Sequence, residues 1–193
     1  MTRDSETSTT DRRSDRTKAA ILRAARERFA AQGYERTTIR AVASDAGIDP
    51  SMVMRYFGNK AQLFDATLAI DLRLPDLTGV PADELAQVLV RHFLNRWEGD
   101  PADDALLVLM RSAVTNDQAA ARMREIFAAQ VAPALAAALG PELAARRAGL
   151  VSAQLLGLGL SRYLLRLPAV TTLTPDEIEA GLAPAIQAIL DPN

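Results

Sequence analysis

At 193 residues the chain has room for one substantial domain, or for a small domain beside a larger one, and its 49% hydrophobic content is globular rather than disordered composition. The absence of Cys excludes disulfides and thiolate metal sites, and a single His leaves little material for an imidazole metal site or a Ser-His triad. The net charge of −2 is unevenly spread: residues 1–65 hold 12 Lys/Arg against 9 Asp/Glu, and residues 66–193 hold 10 against 15, so a basic front precedes an acidic back, as suits a protein that presents one end to phosphates.

Residues 1–14 carry no apolar residue after Met1 and are expected to form a disordered polar arm; nothing there reads as a signal peptide. From Asp15 a helical period begins, with Ile21, Leu22, Ala25 and Phe29 on one stripe and Gly33 placed to end the helix as a left-handed cap. Thr37 or Thr38 can cap a second helix, in which Ile39, Val42, Ala43 and Ala46 recur at helical spacing and Gly47 is the stop. Asp49 and Pro50 start a third, short helix at once, closed by Phe57, Gly58 and Asn59. Asn59 and Gln62 then read as a capping box for a fourth helix to about Arg73.

Pro75 to Pro81 reads as a linker. Beyond it, Pro81 is expected to open one helix, Asp100-Pro101 a second, and Asn116 to cap a third that Gly140 closes. Pro141 opens a long helix to about Leu167, and Thr174-Pro175-Asp176-Glu177 starts the last, which presents Ile178, Leu182, Ile186 and Ile189. The most apolar run, Leu150 to Leu160, is far short of the ~20 residues a membrane span needs, so a cytoplasmic protein with no membrane association is expected. No strand pattern, repeat or low-complexity tract is present, and the expected fold is all-α with about nine helices.

Function concentrates in Thr37 to Lys60, where two short helices joined through Gly47 make a helix-turn-helix. Small or apolar Ala43, Ala46 and Ile48 at the crossing hold the second helix against the first, so that its N-terminal residues can enter the major groove. At this point the chain resembles the tetracycline-repressor (TetR) family of bacterial regulators. The resembling residues are Ile21-Leu22 with Ala24-Ala25, Phe29-Ala30 with Gly33-Tyr34, Thr37-Thr38-Ile39, Val42-Ala43, Ala46-Gly47-Ile48, Tyr56-Phe57 with Asn59-Lys60, and Leu63-Phe64. The likeness covers roughly residues 15–73; over the remainder only the helical architecture is similar.

The resemblance implies an N-terminal three-helix helix-turn-helix domain over 15–74, with the motif at 38–57, and a C-terminal helical ligand-binding and dimerisation domain over 75–193. It implies a homodimer on near-palindromic double-stranded operator DNA, a repressor released by a small effector, and no cofactor. Carried over residue by residue, Thr38 would hold a phosphate, Arg40 reach a base edge or phosphate, and Pro50, Ser51, Met52 and Arg55 face the groove, with Arg55 the candidate for bidentate guanine reading. Tyr56 and Lys60 would grip the backbone, and Arg12, Arg13, Arg16 and Lys18 would add sequence-blind attraction. The chain has Met54 where most of the family has Tyr, so one usual phosphate-binding hydroxyl is missing.

Tyr34, Phe57 and Phe64 read as core of the small domain, and His92 as a structural histidine. Phe93, Trp97, Met110, Phe127 and Tyr163 are the candidate lining of an effector pocket, with few charges and hence a largely apolar effector. The long helix is apolar on almost every side between Leu150 and Leu165, which calls for burial against a partner. Leu155, Leu158, Gly159, Arg162, Leu182 and Ile186 are therefore the candidate dimer contacts. An enzyme finds no support: there is no nucleophile-base pair, metal-ligand cluster or phosphate-cradling Gly loop, and adjacent Asp103 and Asp104 point apart on a helix. The alternative is a helical ligand-binding or interaction module with a vestigial helix-turn-helix, against which Arg40, Arg55 and Lys60 together speak.

Overall fold

The computed structural model describes the backbone of residues 4–99 and 105–191, with side chains from residue 13 onward in those spans. The described residues are helical with no strand, and they divide into two compact units. The first comprises the described residues of 1–70 and 102–120, and the second those of 71–101 and 121–193.

In the first unit, α1 spans Asp4–Arg36, α2 Ile39–Ala46, α3 Pro50–Phe57, α4 Lys60–Thr67 and α6 Ala105–Ser112. The start of α1 lies inside the stretch expected as a disordered arm, so residues 4–14 are helical. Once Ile21 to Phe29 are packed, extending the helix backwards needs no new nucleus and adds one hydrogen bond per residue. Gly33 does break the helix, but with φ 77° and ψ 175°, an extended kink rather than a left-handed cap. Buried Thr37 covers the break, its hydroxyl donating to the Gly33 carbonyl at 2.9 Å.

The punctuation of the next three helices follows the sequence closely. Thr38 Oγ1 accepts from the Ala41 N–H at 3.2 Å, Asp49 Oδ1 from Ser51 at 2.8 Å and Asn59 Oδ1 from Gln62 at 2.9 Å. Gly47, at φ 65° and ψ 34°, is the left-handed stop that lets α3 begin within three residues of the end of α2. The fourth helix ends at Thr67, six residues before the expected Arg73. There the Thr67 hydroxyl donates to the Phe64 carbonyl at 2.6 Å, and Leu68 and Ile70 turn inward and are buried.

Ile21, Phe29, Val42, Ala43, Val53, Leu63 and Phe64 are fully buried. Phe64 meets Phe29 edge-on at 4.9 Å and lies 4.8 Å from Tyr34, so Phe64 and Tyr34 are packing residues, as expected. By compactness the chain divides otherwise than at the expected 74/75 boundary. Helix α6, assigned by sequence to the C-terminal domain, packs on α1, with Val108 and Leu109 buried and Arg111 donating to the Ala30 carbonyl.

The second unit holds α5 (Leu85–Glu98), a π-helical turn Phe127–Val131, α8 (Ala132–Leu139), α9 (Pro141–Gly159), a second π-helical turn Leu160–Leu164, α10 (Pro168–Thr171) and α11 (Pro175–Leu190), while α7 (Asp117–Ile126) straddles the division. Nine expected helices become eleven α-helical segments among the described residues. A π-helical turn separates α7 from α8 within the expected third helix, and α10 is a single extra turn. Pro81 opens a turn rather than a helix, since α5 starts only at Leu85. The expected Asp100-Pro101 cap lies outside the described residues, as do Asp103 and Asp104. Asn116 caps α7 through Ala119 at 3.0 Å, and Thr174 with Glu177 forms a complete capping box on α11. The core gathers Leu85, Leu89, Val90, Leu135, Val151 and Ile186. Among the described residues no helix is long and apolar enough to cross a membrane.

Candidate nucleic-acid interface

Helix α3 is held in place from within. Val53 is fully buried, Pro50 stands at the first helical position, and Asp49 caps the N-terminus. The Ile48 N–H donates to the Ala43 carbonyl at 2.9 Å, which fixes the turn between α2 and α3. What the helix presents to solvent is then set by its period: Ser51, Met54 and Arg55 are exposed, and Met52 and Tyr56 half-exposed. Thr38 and Arg40 are exposed at the start of α2, and Pro50 is half-exposed. These residues share one unit, and Arg55 stands free at the end of α3, its guanidinium 5.8 Å from the centre of the Tyr56 ring.

Lys60 also has partners within the protein. Its ammonium lies 4.2 Å above the Tyr34 ring and donates to the Glu35 carbonyl at 3.2 Å, so it closes the end of α1 as well as facing solvent. Sequence reasoning missed two features. Met54 is 46% exposed, an apolar side chain beside Arg55 on the face that α3 presents; the burial of Val53 next to it was the available signal. The Arg28 guanidinium makes a two-pronged ion pair with Asp45, bracing α1 against α2 across 17 residues, and no local pattern announces it.

The same contacts set the acid response. The hydrogen bond from Arg28 holds the Asp45 carboxyl below its ordinary range, and the Ser51 hydroxyl and N–H do the same for Asp49. A depressed folded pKa contributes stability that is present above the unfolded value, about 3.9 for Asp, and is lost as pH falls through the folded value. The thermal midpoint is therefore expected to fall as pH drops below about 4. The Asp45→Asn, Asp49→Asn double variant should start lower at neutral pH and show a flatter acid limb. The change is modest because both carboxylates are solvated. An acid limb equally steep in the double variant would assign the effect to other carboxylates.

In the second unit, Phe93, Trp97 and Tyr163 come together. Trp97 stacks on Tyr163 at 4.6 Å with the rings 1° apart, and Phe93 lies 5.8 Å from Trp97. The Tyr163 hydroxyl donates to Glu98 at 2.9 Å, and burial with that bond pushes the phenol well above its ordinary pKa, so it stays a neutral donor. Phe127 is half-buried against the core of this unit, and Met110 is buried in the first unit, apart from the other four. His92 is satisfied as a structural histidine, its Nε2 3.0 Å from the Leu72 carbonyl, while Gln130 accepts from the Leu72 N–H at 2.8 Å.

The candidate dimer residues divide. Ile186 is fully buried and Gly159 buried within the protomer, and Arg162 is occupied by Glu98 at 2.9 Å and by the Val170 and Leu173 carbonyls, so these three serve the internal fold. Leu155 packs against the core, and only Leu158 and Leu182 of the six line an open groove of about 400 Å³ between α9 and α11. The uncovered apolar side chains are others: Leu150 (58% exposed), Leu156 and Leu160 along α9 and its π-helical extension, with Leu165 and Leu167 just beyond. Among the described residues no cluster of His, Asp and Glu has the geometry of a metal site.

An all-helical chain with a rigid helix-turn-helix and a separate helical body defines a class, the one-polypeptide helix-turn-helix regulators. Family models sharpen it: residues 21–67 match the model for bacterial regulatory proteins of the tetR family, and residues 83–190, more than half of the chain, match the tetracyclin repressor-like C-terminal domain. The chain belongs to the TetR family of transcriptional regulators, a family of regulators rather than enzymes. A transcriptional repressor of Mycobacterium tuberculosis is 39% identical over 77 residues, which are 38% of this chain and 41% of that protein, so the match spans about two-fifths of the relative. A TetR-family regulator from Streptomyces coelicolor A3 is 28% identical over 91% of this chain and 95% of its own, with a TM-score of 0.60. NalD, the secondary repressor of the MexAB-OprM multidrug efflux pump in Pseudomonas aeruginosa, shares the fold at 22% identity and TM-score 0.65, covering 90% of this chain and 95% of its own.

Proposed function

We propose that the protein is a homodimeric, cytoplasmic repressor that binds a near-palindromic operator and is released by a small, largely apolar effector. The observation that carries this reading is the face of α3: a capped, internally anchored helix that leaves Ser51, Met54 and Arg55 in solvent. Arg55 supplies the fork for a guanine edge, and Met54 an apolar surface suited to a thymine methyl. Thr38, Arg40, Ser51, Tyr56 and Lys60 contact backbone phosphates, with Pro50 and Met52 at the groove wall. The named repressor activity of the mycobacterial relative and of NalD supports the sign of regulation.

The Phe93, Trp97 and Tyr163 cluster offers aromatic faces with a half-buried phenol bonded to the exposed Glu98 carboxylate at its edge, which favours an apolar effector bearing a single polar group. Such a molecule lowers operator affinity only by the difference in its affinity for the two states of the protein. A second copy of the chain covers the exposed leucines of α9. The test is selection of bound DNA from a random pool with the full chain. Enriched sequences should be near-palindromic, with half-sites about one helical turn apart, roughly 34–36 Å. Failure to enrich any sequence would overturn the reading.

A further inference from the structure

We propose that the exposed first part of α1, with Arg13, Arg16 and Lys18, is a second DNA-contacting surface that holds backbone phosphates flanking each half-site. The proposal rests on the reading of α3 as the groove-reading helix. Its first support is that α1 continues past the core that anchors it. Ile21 is the first fully buried residue, and none of residues 13–20 is buried, so the side chains of this segment are left free to meet a partner.

The second support is charge. Between residues 13 and 23 the chain carries Arg13, Arg16, Lys18 and Arg23 against the single carboxylate of Asp15. Among the described residues none of these four cations forms an ion pair, whereas Arg28, Arg91, Arg122 and Arg162 all do. Arg13 and Arg16 stand three residues apart on one face, an arrangement that opposes the helix unless an anion arrives from outside. No apolar residue lies between Thr2 and Lys18, which leaves nothing for hydrophobic docking on a protein or a membrane.

The third support is position. The Lys18 ammonium lies 5.7 Å from the centre of the Tyr56 ring, at the last turn of α3. The axial rise from Lys18 back to Arg13 is about 7.5 Å, roughly the separation of adjacent phosphates on one strand. The arginines therefore extend the surface of α3 outward along the backbone, and a duplex is the polyanion that meets both.

The test compares the full wild-type chain with an Arg13→Gln, Arg16→Gln, Lys18→Gln variant on three duplexes: a random-sequence 40-mer, a 40-mer carrying the pool-selected operator at its centre, and that operator trimmed of its flanks. On both 40-mers the variant should bind at least tenfold more weakly, and its log K against log salt slope should be shallower by about 5, near 0.9 for each phosphate lost by the two copies together. On the trimmed duplex the two proteins should converge. An Arg13→Lys, Arg16→Lys variant should keep the wild-type slope. Equal affinity and slope on the 40-mers would make these residues an ordinary solvated helix face and overturn the proposal. Equal losses on trimmed and flanked operator with an unchanged slope would do the same, by pointing to a packing role. A wild-type chain that binds none of the three duplexes would instead remove the reading of α3, and this proposal with it.

Discussion

Replacing Arg55 and Lys60 together with Ala is expected to weaken operator binding by a hundredfold or more while leaving the helical circular dichroism of the protein unchanged. Arg55 is exposed at the end of α3 and no internal carboxylate holds it among the described residues, so its removal costs the fold little. A bidentate pair with guanine is worth about 1–3 kcal/mol of discrimination, and loss of it relaxes sequence preference at one base position of each half-site. Lys60 adds a charge near the N-terminus of α4, where backbone N–H groups already favour phosphate. Its loss should weaken all sequences about equally and lower the salt slope by about 1. Since Lys60 also donates to the Glu35 carbonyl, Lys60→Ala alone should lower the thermal midpoint slightly, whereas Arg55→Ala alone should not. Arg55→Lys separates the two roles: it keeps the charge but not the planar fork, so a base-reading Arg55 predicts loss of preference with affinity partly retained. Unchanged operator occupancy in the double variant would remove α3 as the reading element.

The legibility of this molecule in its sequence tracks the distance over which each feature is encoded. Caps and stops are local: Thr38, Gly47, Asp49, Pro50, Asn59 and Thr174 each act within three or four residues, and each is found where its side chain or backbone freedom demands it. The exposed face of α3 follows from those local signals plus the burial of Val53. Features that depend on distant partners were not legible. Arg28 and Asp45 are 17 residues apart, Arg111 and Ala30 are 81 apart, and neither separation leaves a pattern. The ends of helices were read too long or too short for the same reason. The fourth helix stops at Thr67 because Leu68 and Ile70 find a core to enter, and α1 extends to Asp4 because a packed segment downstream carries it.

The candidate dimer face was only partly legible, for a different reason. The stretch Leu150 to Leu165 is apolar on nearly every side, so the sequence calls for burial all round without saying which residues bury within the protomer and which against a partner. The protomer claims Val151 and Gly159 from this stretch and Ile186 from α11, and leaves Leu150, Leu156, Leu160 and Leu165 outside. Helix α11 faces solvent at Gly181, Ala185 and Ala188, which are small enough to let a second helix come close.

From that division the second large effect follows. A Leu150→Glu, Leu160→Glu variant is expected to sediment as a folded monomer at about 10 μM, a typical working concentration at which the proposed pairing predicts a wild-type dimer. Each leucine loses about 1.5–3 kcal/mol of burial at the shared interface, and four carboxylates are brought together where the two copies meet. Both positions are exposed in the single chain, 58% and 40%, so secondary structure should be retained. Operator affinity should nevertheless fall by about 10²–10⁴, because one bound half-site no longer raises the effective concentration of the second reading helix at the other. The contrasting variant is Ile186→Glu. A carboxylate at a position with 0% exposure must enter the core of the second unit, so it should unfold that unit instead of separating copies. A Leu150→Glu, Leu160→Glu protein that remains a dimer by sedimentation would place the contact elsewhere on the second unit. A folded monomer that still protected both half-sites with wild-type affinity would break the link between pairing and DNA reading, since two heads on one palindrome need a common body to hold them at the pitch of the helix.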